Sequence, residues 1–77
     1  MAMGESMIKW LVRQSMGEEL VASSAYHVRA IQAKQSGDIT TAELFKHIAD
    51  EEDGHYLDFR NRLLELDREL LYPMESI

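Results

Sequence analysis

Three side chains in this sequence could hold a metal ion between them: Glu19, Glu52 and His55. Glu52 and His55 form a Glu-x-x-His pair inside the acidic stretch ADEEDGHY, residues 49–56. On a helix of roughly 100° and 1.5 Å per residue, the two lie about 60° apart in projection and about 4.5 Å apart along the axis. They therefore project together. Carboxylate oxygens with an imidazole nitrogen suit Fe(II), Mn(II) or Zn(II), and the residue types alone do not choose among these. A lone Glu-x-x-His is commonly a surface pair, so its meaning depends on the apolar residues around it.

Those residues predict two helices. Proline is absent before Pro73, and the one clear breaker is QSGDITTAE, residues 35–43. Gly37 suits the position that ends a helix, and Thr40 with Glu43 three residues later reads as a capping box. A first helix over about 6–36 and a second over about 41–71 follow, with a short tail at 72–77 beyond the stop signal of Pro73. Gly17 and Gly54 weaken their helices locally, by roughly 1 kcal/mol each against alanine, without ending them. The first seam runs Ile8, Leu11 or Val12, Ser15, Glu19, Ala22, Tyr26, Ala30, Ala33. The second runs Phe45, Ile48, Glu52, His55, Phe59, Leu63, Leu66, Leu70. Spacings of three and four are the pattern of a left-handed antiparallel bundle.

All three polar candidates thus sit in seam positions. Glu19 and His55 lie 19 and 17 residues from a turn centred near residue 38, so an antiparallel hairpin brings them level. Asp50, Glu51 and Asp53 turn toward the flank and are expected to form a solvated acidic face. His27 and His47 fall off the seam and are expected at exposed or intersubunit positions. Ser23 and Ser24 allow close helix approach beside the site. Burying a glutamate without a partner costs several kcal/mol. A divalent cation removes that cost.

Length and composition point to a second chain. Seventy-seven residues allow one small domain, and a solitary core of that size needs support from a metal, disulfides or a partner. There is no cysteine, which excludes disulfides and thiolate metal sites. Pairing two hairpins closes a four-helix bundle and buries both seams. In that homodimer Glu19, Glu52 and His55 occur twice, giving four carboxylates and two imidazoles. Two divalent cations would balance the charge. This is the ligand set of di-iron carboxylate bundles, a Glu from each of two helices plus a Glu-x-x-His from each of the others.

The net charge of −6, from 14 acids against 8 bases, argues against nucleic acid as a partner. MIKWLV, residues 7–12, is too short for a signal-peptide core, and no apolar run approaches the ~18 residues of a membrane span. A cytoplasmic location, with the interior of a protein compartment included, is the expectation.

EELVASSAYHVRA, residues 18–30, resembles the first metal-binding helix of the ferritin and rubrerythrin superfamily, through Glu19, Leu20, Ala22, Ser23 and Tyr26. AELFKHIADEEDGH, residues 42–55, is similar to the second helix of rubrerythrin-like proteins, through Phe45, Ala49, Glu52 and His55. The resemblance covers about residues 15–63. Typical members carry four helices in one chain, so this one looks like the half-size members, such as the encapsulated ferritins, in which two chains build one di-iron site. That resemblance implies oxidation of Fe(II) by O2 or peroxide at two irons per dimer, with Mn or Zn as alternatives. Glu52 would bridge, and Glu19 and His55 would be terminal ligands. Tyr26, one heptad after Glu19 on the same stripe, reads equally as core packing or as a group that orients a ligand carboxylate or takes part in redox chemistry. Mineral storage would require a cage or shell partner, since a dimer encloses no volume. A rubrerythrin-like peroxide-scavenging oxidase is the nearest alternative. A non-catalytic, metal-stabilised dimeric interaction module is the rival of another kind.

Overall fold

In the computed structural model the described residues are 3–71, with side chains described for 7–68; the expected tail at 72–77 lies outside them. Two α-helices, α1 (Met3–Gln35) and α2 (Ile39–Leu71), fold back on each other as an all-α hairpin. α2 begins two residues earlier than the sequence pattern predicts because the turn is tighter, while α1 begins three residues earlier and ends one residue earlier. Gly37 takes φ = 85°. Its N–H donates to the Lys34 carbonyl and that of Asp38 donates to the Ala33 carbonyl, each at 3.0 Å. This is a Schellman ending, and it needs a left-handed residue that glycine supplies without steric cost.

The start of α2 corrects the expected cap. Asp38, not Thr40, is the N-cap: its carboxylate accepts the Thr41 N–H at 3.0 Å and the Thr41 hydroxyl at 2.7 Å. One residue thus completes the ending of α1 and begins α2, which leaves no room for a cap two residues later. These hydrogen bonds from Thr41 hold the Asp38 carboxyl below its ordinary value. Asp38→Ala should cost about 1 kcal/mol, read as a lower midpoint in chemical denaturation. An unchanged midpoint would mean that Thr40 caps after all.

Small residues set how closely the helices approach. Ser23, Ala42 and Ala49 are the buried residues among those described. Tyr26 stacks on Phe45, ring centroids 6.1 Å apart and 23° between planes. Lys9 pairs with Asp67 near the open end. Gly17 and Gly54 sit inside their helices, and a Cβ at either would meet nothing within 4 Å.

The seam differs from expectation at its outer end. Val12 is half-buried, whereas Ile8 and Leu11 are about half exposed. Among the described residues the hairpin encloses no large side chain completely, and twelve large apolar ones, including Trp10, Val21 and Ile31, stay about half or more exposed. The Cα envelope measures 60 × 21 × 11 Å with a radius of gyration of 17.6 Å. A compact domain of this length would have a radius near about 11–12 Å. A single layer of two helices has no interior for large apolar groups. Among the described residues, no helix is long and apolar enough to cross a membrane.

Candidate metal centre

Midway along the hairpin α1 supplies Glu19 and α2 supplies Glu52 and His55. One ligand atom from each lies within 4.8 Å of the other two. His55 Nδ1 is 3.5 Å from Glu19 Oε2 and 3.9 Å from Glu52 Oε2. Donors bonded to one ion at about 2.1 Å stand roughly 3.0–3.4 Å apart. The observed spacing needs only small side-chain movement to reach that.

The three differ in exposure. The Glu19 and Glu52 side chains are 21% and 22% exposed, and that of His55 is 54% exposed. His55 was expected to point inward with Glu52. Within one hairpin it is instead half exposed, with Nδ1 still 3.5 Å from Glu19 across the helix contact. Glu19 Oε2 is buried and accepts no hydrogen bond. Such an atom costs free energy unless something positive reaches it.

Electrostatics agree with crowding. Glu52 is held above the ordinary carboxylate range, first by pairing with the Glu19 carboxyl, then by partial burial and by the Glu19 charge. His55 acts in the opposite sense and Glu51 adds a little to the rise. Two carboxyl groups side by side bind a proton more readily than either alone. The same site without protons attracts cations. Buried Glu19 Oε2, the raised Glu52 and the adjacent imidazole together fit a divalent ion.

The flanking acids do not behave as one solvated face. Glu51 pairs with His47 at 2.5 Å along the outside of α2. Asp53 instead reaches α1: its Oδ1 accepts a hydrogen bond from the buried Ser23 hydroxyl, and its Oδ2 is 3.3 Å from His27 Nε2. Those contacts hold Asp53 below its ordinary value, Ser23 contributing most. Ser23 therefore does more than permit close approach, and His27 is a contact residue. Tyr26 is a packing residue here, stacked on Phe45 with the Arg29 guanidinium 5.2 Å from its ring centroid. Seven residues separate it from Glu19, about 10.5 Å along the helix.

Compared with protein-family models, curated proteins and solved structures, the chain matches none of them.

Proposed function

We propose that two copies of this chain pair into a ferritin-like four-helix bundle that binds Fe(II) as substrate and oxidises it with O2 or peroxide. The observation that carries this reading is the buried, unpartnered Oε2 of Glu19 beside Glu52 and His55. One hairpin offers three ligands, with His55 half exposed. A second copy supplies the missing half and covers exposed apolar surface.

Each residue has a defined task. Glu19 and Glu52 neutralise the cation, and the neutral His55 imidazole completes its coordination. Glu52, which holds a proton more readily than an ordinary carboxyl, binds the cation in its ionised form, so proton and cation compete for it. Each Fe(II) gives up one electron, so a pair supplies the two that convert O2 with two protons to hydrogen peroxide. Where peroxide is the oxidant instead, two electrons and two protons take it to two molecules of water. Apolar neighbours Phe45, Ile48 and Phe59, all half-buried, limit bulk water around the centre.

Anaerobic Fe(II) titration followed by admission of O2 tests the reading. Oxidation of one Fe(II) per chain well above the rate of free Fe(II) is expected, with sedimentation showing an even number of chains. Binding without accelerated oxidation would leave a metal-stabilised interaction module instead. A metal-loaded monomer would remove the shared site.

A further inference from the structure

A second group of ligand-type side chains occupies the opposite side of the helix contact. Consecutive helical residues leave the axis about 100° apart, so Glu52 and Asp53 diverge. Glu52 meets Glu19 and His55, while Asp53 meets Ser23 and His27. Asp50, one turn earlier on α2, joins them. One ligand atom from each of His27, Asp50 and Asp53 lies within 4.8 Å of the other two. The proposed oxidation chemistry uses none of the three.

We propose that His27, Asp50 and Asp53 form a second, solvent-open site for one divalent transition-metal cation per chain, separate from the Glu19–Glu52–His55 centre. His27 Nε2 and Asp53 Oδ2 stand 3.3 Å apart, inside the roughly 3.0–3.4 Å spacing of two donors on one ion. Asp53 is oriented by a hydrogen bond of the kind that fixes metal ligands. The Ser23 hydroxyl, on a residue 3% exposed, donates to Oδ1 and leaves Oδ2 turned toward the imidazole. Ligands from both helices meet there, and one of them is held in place by a buried contact.

Charge and ligand type separate this cluster from an ordinary surface pair. The His27–Asp53 contact engages one carboxylate, whereas a divalent cation among the three side chains would engage both. Imidazole also shifts preference away from calcium and magnesium toward Zn(II) and Fe(II). Three protein ligands leave open coordination positions, and the His27 and Asp53 side chains are 47% and 50% exposed. An exchangeable site follows, one that takes up labile Zn(II) or Fe(II) from solution.

The test uses Zn(II) alone on the full metal-free chain carrying Glu19→Ala, Glu52→Ala and His55→Ala, which deletes the first centre. Ring 1H–15N correlations of the two remaining histidines are followed by NMR. The His27 ring signals should shift and saturate at one Zn(II) per chain while His47 stays unchanged. Adding Asp50→Asn should weaken that binding at least tenfold. No His27 shift, or binding indifferent to Asp50→Asn, would overturn the proposal. In the unaltered chain, His27→Ala should lower bound Zn(II) from two per chain to one, and unchanged stoichiometry would again overturn it. Failure of Fe(II) oxidation at the first centre leaves these results untouched, so the two readings fail separately.

Discussion

Glu19→Leu should abolish Fe(II) oxidation and, at neutral pH, raise the melting temperature of the metal-free protein. The two effects share one cause. Glu19 places a buried oxygen without a hydrogen bond beside a second carboxyl group, and crowding two carboxyl groups at a partly buried position is costly to fold. An apolar side chain of similar volume removes that cost, which is about 1–3 kcal/mol for a buried polar group left unsatisfied. For a domain of this size each kcal/mol moves the midpoint by roughly 4–8 °C. Loss of an outer-shell partner alone costs ~10–100-fold in metal affinity or activity, and loss of a direct ligand should exceed that. Calorimetry of the metal-free variant and a stopped-flow oxidation assay read the two arms. A variant that melts lower without metal would mean that Glu19 has a structural partner. One that keeps turnover would remove it from the centre. Sites built for chemistry commonly sacrifice stability in this way.

The hairpin itself was legible because its signals are local. Gly37 after a long proline-free run, and apolar residues at three and four spacing, needed no knowledge of tertiary structure. The cap was misplaced by two residues, since Thr40 and Glu43 fit a capping box while Asp38 does the work from inside the turn. Sequence spacing alone does not say that one residue serves both helices. Glu19, Glu52 and His55 were legible as a set because three polar residues interrupt two stripes at the same height. Their unequal exposure was not. It depends on which edge of α2 faces α1, a rotation that small residues decide: Ala42, Ala49 and Ser23 pack deepest, and this leaves His55 half exposed. The same rotation sets the half-exposed Asp53 against Ser23 and His27 of α1. A seam drawn with one residue per turn hides such a second row, and the small residues flanking the seam were the available signal for it.

The pH dependence of stability separates a centre built for a cation from a merely acidic patch. Glu52 has a raised value in the folded chain, so the folded state binds its proton more tightly than the unfolded state does. Its contribution is therefore present below the ordinary value of 4.5 and lost as pH rises through the raised one. Asp38 and Asp53 are shifted the other way from 3.8, and their contributions vanish as pH falls below that value. Metal-free protein should accordingly melt higher at about pH 5 than at pH 7.5, then lose stability steeply below about pH 4. Glu52→Gln should flatten the upper slope and leave the acid limb in place. A divalent cation needs Glu52 ionised, so its stabilisation grows in the direction in which the metal-free protein weakens. At a free concentration 100-fold above the dissociation constant the gain is about 2.7 kcal/mol, or roughly 10–20 °C. Zn(II), which adds no redox chemistry, should therefore reverse the slope between pH 5 and pH 7.5. A metal-free profile that rises with pH over that range would show that the Glu19–Glu52 contact is not under like-charge strain. In that case the strongest physical reason for a cation between the helices would be gone.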